Sequence, residues 1–296
     1  MRQKALITSA SNKFFPSLVN LLGSIKANYP GHPQIFIYDL GLYWIFRKEL
    51  DSLQGVTVLD MPRFVSFWRS CYTWKTYILS HPLADLNFYL DAGTQVLKPL
   101  DDIFVEIEKE NYFAIQQGVS LKQIVPEDYW DKLGLNRINE NEESIHAGEL
   151  GFKADSEISE VLYESYNWAL KGLALGFSPK DKWRDKGYNK IGIVRNCEIF
   201  RHDMTLLNIA FRKKFGKAGH LNSGVIFAGG YKSHPNQAIW NLRLSFRKLD
   251  YCNQSFLHPR FSFIAWLNRI IIGAMLVLKN GNLYFKKHLG LLTQGE

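Results

Sequence analysis

Three short stretches gather residue types that can do chemistry. In Phe88-Tyr89-Leu90-Asp91-Ala92-Gly93 an apolar run delivers one carboxylate and then a glycine. A carboxylate at a strand's end can bind a divalent cation, and the glycine lets a diphosphate or a sugar come close to the backbone. The same arrangement also serves as a plain structural turn. In His146-Ala147-Gly148-Glu149-Leu150-Gly151 an imidazole and a carboxylate sit in a glycine-rich turn. Glu149 there reads either as an exposed turn acid or as a group facing a ligand. Asp203, preceded by His202, reads either as the N-terminal cap of a helix through Thr205-Leu206-Leu207 or as a reactive acid. His146 and His202 can contact a diphosphate, a metal or a sugar, although a lone histidine is more often a packed polar residue.

The elements that must position these groups follow from hydrophobic spacing. Residues 4–9, 34–38, 56–61 and 86–90 are short apolar runs of strand length. Between the first two, Leu18, Leu21, Leu22 and Ile25 recur at helical spacing until Tyr29-Pro30-Gly31 stops them. Strands that are apolar throughout, separated by helices, predict a parallel sheet covered on both faces. Ligands of such sheets bind beyond the strands' carboxyl ends, which puts 8–11, 39–41 and Pro62 on one rim. Helices are expected over 44–51, 70–81, 100–108, 155–176 and 203–214, with Ser156 and Ser159-Glu160 as a capping pattern. A fifth strand is expected over 112–116, a polar loop or lid over about 118–145, a charged loop over 178–192 and a turn at Gly229-Gly230.

Composition bounds the class. With 296 residues, 46% of them apolar, the chain can build a real core, and length favours one large domain, or one domain with a small appendage. Cys71, Cys197 and Cys252 make neither a disulfide framework nor a zinc finger, which suits a reducing compartment. The formal charge of +8 suits nucleic acid, anionic lipid or a phosphorylated small molecule. No nucleic-acid module pattern or aromatic-interleaved basic stripe is present, so nucleic acid is not an expected partner. Gly-x-Ser-x-Gly, phosphate-loop, His-Glu-x-x-His and Gly-x-Gly-x-x-Gly motifs are all missing. The basic start is broken by Thr8, Ser9, Ser11 and Asn12, which reads as a strand and not as a signal peptide.

The tail differs in character. Residues 261–278 are apolar but for a break at Asn268 and Arg269, too short a run for a confident membrane span. Beyond Leu257 the sole acid is Glu296, against Arg260, Arg269, Lys279, Lys286 and Lys287. This predicts a domain over 1–255 and a basic, apolar extension over 256–296, which either lies on an anionic membrane surface or packs on protein.

Two stretches carry a family resemblance. ALITSASNKFFPSLVNLLGSIKANYPGHPQIFIYDLGL and YLDAGTQVLKPLDDIF resemble the GT-A type of nucleotide-sugar glycosyltransferase, with its opening strand, helix and strand and its short acidic motif, usually Asp-x-Asp. The chain is more similar still to the family-eight-like group of bacterial surface polysaccharide synthesis, where that motif reads Leu-Asp-Ala-Gly. IHAGELGF, 145–152, resembles the segment of donor-sugar contacts, and CEIFRHDMTLLNIAFRK, 197–213, resembles the stretch that opens a late helix. The resemblance covers about residues 1–215.

It implies an α/β fold of the GT-A, Rossmann-like kind, with a mixed, mostly parallel central sheet flanked by helices. It implies transfer of a hexose or N-acetylhexosamine from a UDP-sugar to a saccharide, a lipid-linked or lipopolysaccharide intermediate at the cytoplasmic face of the membrane. Thr8, Ala10 and Ser11 fall where the family seats base and ribose, and Asp39 can join them. Asp91, with Ala92 and Gly93, would hold a Mn²⁺- or Mg²⁺-diphosphate. Lys75, in Tyr72-Thr73-Trp74-Lys75, would reach the donor phosphate, with Arg69 on the same approach. His146 and Gly148 would lie among the donor contacts. Glu149 and Asp203 would hold the acceptor or act as general base on its hydroxyl, and Trp130, Trp168 and Trp183 would stack on acceptor sugar or pack in the core.

The departures matter. Asp91-Ala92-Gly93 lacks the second carboxylate of Asp-x-Asp, and Met204-Thr205 replaces Gln-Ser after Asp203. Either Asp91 holds the metal with help from His202, Asp203 or His220, or basic residues neutralise the leaving diphosphate. The missing carboxylate also admits a non-catalytic subunit that binds a nucleotide-sugar or glycan within a synthesis complex. Retention follows the resemblance, whereas inversion follows if Asp203 is the base.

Overall fold

A computed structural model describes residues 2–181, 192–216, 226–227 and 237–241, with Leu267 and Ile270 as single positions. The chain opens with β1 (Lys4–Ala10), α1 (Phe15–Asn28), β2 (Gln34–Asp39), α2 (Trp44–Asp51), β3 (Val56–Asp60), α3 (Thr73–Ser80) and β4 (Leu86–Leu90). Then come β5 (Thr94–Val96), α4 (Asp101–Glu110), β6 (Tyr112–Phe113), β7 (Gln116–Ser120), α5 (Leu121–Ile124), α6 (Glu127–Lys132) and β8 (Glu143–Ile145). β9 (Glu149–Lys153), α7 (Glu157–Leu170), α8 (Asp203–Phe215), β10 (Ile226–Phe227) and β11 (Ile239–Asn241) complete the described elements.

Six strands form the central sheet in the order β3-β2-β1-β4-β9-β6. β1 to β4 run parallel, and β9 is antiparallel to both of its neighbours. The mixed, mostly parallel α/β expectation is met. Strand alternation sorts side chains into two cores. Leu6, Ala10, Phe88 and Leu90 join α1 and α4 on one face, and Ala5, Ile7 and Tyr89 join α3, α7 and α8 on the other. The chain leaves β1 toward β2 on one side and returns as β4 on the other. The crevice between their carboxyl ends is therefore the point where strand order reverses, the natural ligand position in such a sheet.

Several expected boundaries change. The helix over 70–81 is a 3-10 turn, Ser70–Tyr72, followed by α3, because Cys71 and Tyr72 adopt left-handed backbone with φ of 50° and 58°. The strand over 112–116 divides: β6 joins the central sheet, and β7 pairs with β8 in a separate ribbon. Residues 118–145 are not a loop or lid. They hold β7, α5, α6 and β8 and bury Leu121, Ile124, Tyr129 and Trp130. Their polar composition belongs to the solvent face, and Ser120 with Gln123 closes a capping box on α5. α7 is shorter than 155–176, and the Ser156 hydroxyl at its start donates to the Lys153 carbonyl, 2.7 Å away, without capping the helix. β5 joins β11 and β10 in a small sheet that the sequence pattern did not predict.

Trp130 and Trp168 are core residues, 2% and 8% exposed, and so do not offer themselves to an acceptor sugar. Trp183, His220, Gly229-Gly230 and nearly all of 256–296 lie outside the described residues, as does 182–191 of the charged loop. Among the described residues no helix is long and apolar enough to cross a membrane.

β9 approaches α4 so closely that a side chain is excluded at Gly151. A Cβ there would stand 2.5 Å from Ile107 Cδ1 and 2.8 Å from Phe113 Cβ. Gly151→Ala should destabilise the fold by about 1–3 kcal/mol through overpacking. Thermal unfolding checks this, and an unchanged midpoint would refute the tight β9–α4 contact.

Candidate active site

A cavity of about 610 Å³ opens at the strand-order reversal, within the size range of small-molecule sites. The end of β1 supplies Ser9, Ala10 and Ser11, and the turn after β4 supplies Asp91, Ala92 and Gly93. The approach to α3 supplies Arg69, Tyr72, Trp74 and Lys75. His146 and Asn241 complete its inner wall, and Lys13 and Phe14 also line it.

The centre is an ion pair. Lys75 Nζ lies 2.8 Å from Asp91 Oδ1. The same oxygen accepts the Tyr89 hydroxyl at 2.9 Å, and Ser9 Oγ lies 3.1 Å from that hydroxyl. Tyr89 and Asp91 are two residues apart and so share a face, which is why strand geometry delivers both to one cation. Burial works against the Lys75 charge, but the field of Asp91 above all holds its pKa well above the usual lysine value. The rings of Tyr72, Trp74 and Tyr89 surround the ammonium at 5.8, 5.6 and 5.3 Å, within cation–π range.

A second dyad lies across the turn from β8 to β9. Glu149 is fully buried; its Oε2 accepts from His146 Nδ1, and its Oε1 accepts from Asn241 Nδ2 at 2.9 Å. Burial opposes charge on His146, but Glu149 outweighs it and raises the imidazole pKa above its ordinary value. α8 fixes this turn. Asn208 accepts from the Ile145 amide at 2.7 Å and donates to the Ile145 carbonyl at 3.0 Å. Gly148 is required where dyad and ion pair meet: a Cβ there would lie 2.5 Å from His146 Cε1 and 2.8 Å from Asp91 Oδ2.

Asp203 opens α8, so the cap position falls to His202, whose φ is 55°. It is 5% exposed, and its Oδ2 has no hydrogen-bond partner. Burial raises its pKa from the ordinary 3.8 to about 7, opposed by Lys75 and reinforced by Asp91. The field of Lys75 thus links Asp203 to the central pair.

The structure therefore brings Ala10, Ser11, Lys75, Asp91, Ala92, Gly93 and His146 to one cavity. Gly148, Glu149 and Asp203 stand behind that wall. Thr8 is 2% exposed and does not line the cavity. Asp39 is consumed by its own turn: Oδ1 accepts the amides of Gly41 and Leu42, both at 2.7 Å, and Oδ2 accepts from Arg47 at 3.2 Å. Ser9, Tyr89 and Asn241 were not singled out from sequence. Period-two spacing from Asp91 could have found Tyr89, whereas Asn241 meets Glu149 only through the fold.

A divalent cation needs several oxygen or nitrogen donors around it. Among the described residues no three His, Cys, Asp or Glu side chains assemble into such a set. One Asp91 oxygen already accepts an ammonium and a phenol, and His202 Nδ1 meets the Ala174 carbonyl at 3.1 Å. The described residues around Asp91 do not fit a protein-held dication.

No protein-family model and no curated protein matches the chain. Among solved structures it is similar to the bifunctional glycosyltransferase WbbM in its apo form, with a TM-score of 0.57 and 10% identity over 91% of this chain. It spans about half of that structure, 52%. The glycosyltransferase GlyE of Streptococcus pneumoniae TIGR4 fits more loosely (TM-score 0.47, 12% identity, 92% of this chain and 64% of that one). So does the galactosyltransferase LgtC with donor and acceptor sugar analogs (TM-score 0.43, 15% identity, 88% and 95%). At such identities the likeness to WbbM is one of fold, a GT-A-like, Rossmann-type α/β architecture.

Asp203 makes stability depend on pH in a definite direction. The unfolded chain ionises this acid above about 3.8, whereas the folded chain holds its proton until about 7. Between those values the folded state binds more protons, so the Asp203 contribution to stability falls as pH rises. Asp203→Asn, which cannot ionise, should gain stability relative to wild type across that window and level off above it. Denaturant unfolding of both proteins at a series of pH values measures the difference; a flat difference would contradict the buried, proton-holding acid.

Proposed function

We propose that the chain is a glycosyltransferase that moves a hexose or N-acetylhexosamine from a UDP-sugar to a saccharide acceptor. The acceptor we favour is a lipid-linked or lipopolysaccharide intermediate at the inner face of the cell membrane, with the basic, apolar 256–296 segment as the contact to anionic lipid. The observation that carries the reading is the cavity at the strand-order reversal, with the Lys75–Asp91 pair in its wall. A fold shared with a glycosyltransferase supports it.

In this reading the donor's diphosphate lies against Lys75 and the backbone of Ala92 and Gly93. When the bond from anomeric carbon to phosphate oxygen breaks, negative charge grows on the leaving nucleoside diphosphate. Lys75 and Arg69, already in place, stabilise it. Glu149 has no surface to offer a substrate, so its part is to hold His146 through Nδ1 and leave Nε2 for the ligand side. Asp203 stands behind Lys75 and adjusts the field at the ammonium.

The test is release of UDP from a panel of UDP-sugars, with and without saccharide acceptors, with product mass read in parallel. Acceptor-dependent release is expected, and Lys75→Met should lower the rate about 10²–10³-fold, the effect of removing one preorganised transition-state donor. UDP-sugar binding with no turnover on any acceptor would favour a non-catalytic binding subunit, the reading that the missing second carboxylate supports. If neither binding nor turnover is found, both readings fall.

A further inference from the structure

The cavity wall carries a charge balance that a dication site would not have. Lys13, Arg69 and Lys75 line it, and among the described residues Asp91 is the carboxylate that lines it with them. A carboxylate cluster awaiting a metal is net negative when empty; the described residues of this wall are net positive. Its charge therefore suits a diphosphate directly.

Lys75 also occupies the place a metal would take. A cation serving a lone carboxylate sits against its oxygens, and the ammonium is 2.8 Å from Asp91 Oδ1. The lysine is 5% exposed, yet it lines the cavity. Asp91, Tyr72, Trp74 and Tyr89 hold it from several sides. A dication brought to the same carboxylate would meet a fixed positive charge at contact distance and be repelled. A diphosphate would meet an ammonium already oriented, with little left to reorganise.

We infer that the donor diphosphate is bound and neutralised by protein cations, Lys75 first among them, and that the site works without a divalent metal. This rests on the nucleotide-sugar reading above and sharpens it: one lysine supplies what a Mn²⁺ or Mg²⁺ ion would otherwise supply.

The experiment is calorimetric titration of the full chain with UDP in EDTA, in Mn²⁺ and in Mg²⁺, with inorganic pyrophosphate as a second probe. UDP should bind in EDTA about as tightly as with either metal. Lys75→Met should weaken binding in EDTA about tenfold or more, the value of a charge-assisted contact. Where that variant fails to fold, Lys75→Met with Asp91→Asn removes both charges together and avoids leaving one unpaired; the same loss is expected. Pyrophosphate binding with the same lysine dependence, but weaker than UDP, would place the recognition at the diphosphate. Binding of UDP only in the presence of metal would overturn the inference and keep the nucleotide-sugar site. So would a Lys75 variant that binds as well as wild type in EDTA. Absence of UDP binding in every arm would remove the nucleotide reading itself.

Discussion

The site depends on keeping one ammonium charged inside the protein. An isolated ammonium loses several kcal/mol of hydration on burial, and an uncompensated lysine would shed its proton. Asp91 prevents this at 2.8 Å, and three aromatic rings offer their negative faces to what the carboxylate leaves uncovered. That pairing requires β4 to end beside α3 at one height. It therefore rests on the parallel register of β1 and β4, in which Ile7 faces Tyr89. A one-residue slip would turn Tyr89 and Asp91 to the opposite face and dismantle the pair.

Local strain around this pair is concentrated where the rings must be aimed. Cys71 and Tyr72 both adopt left-handed backbone immediately before α3, at about 1–3 kcal/mol each. The second of them brings the Tyr72 ring over Lys75, with Tyr72 itself still 42% exposed at the cavity. His202, also at positive φ but with ψ of −117° and so outside the left-handed helical region, precedes Asp203. The helix of which Asp203 is the first residue ties down β8 and so the turn that carries His146. Rigid cores on both sheet faces make such strain tolerable: Phe15, Phe88, Phe104, Phe113 and Phe211 are fully enclosed.

What could be read from sequence follows from the range of each interaction. β1, α1, β2, β3 and β4 were legible because strand and helix periods are local, and Asp91 was legible because a strand end followed by glycine is local too. Lys75 and Asp91 both came with the resemblance, but their pairing did not, since the two residues that meet are 16 apart in sequence. The Glu149–Asn241 contact spans 92 residues, and no pattern announces it. Asp39 was legible as an acid at a strand's end, which suits a ligand or a turn alike. Its turn amides and Arg47 decide for the turn. Residues 118–145 misled because short helices with polar outer faces have a loop's composition, while Tyr129 and Trp130 carry the burial.

The missing second carboxylate and the buried lysine are one constraint seen twice. In Asp91-Ala92-Gly93 the position that would hold the second acid is Gly93, which lines the cavity. A carboxylate there would put two like charges beside a single ammonium and reduce the positive excess of the wall. With glycine there, one lysine and one aspartate are electrically complete, and Lys13 and Arg69 remain to meet an anion. The same economy governs the other dyad. Glu149 accepts from His146 and Asn241, so Asp91 and Glu149 each serve first to hold a side chain that lines the cavity, Lys75 in one case and His146 in the other.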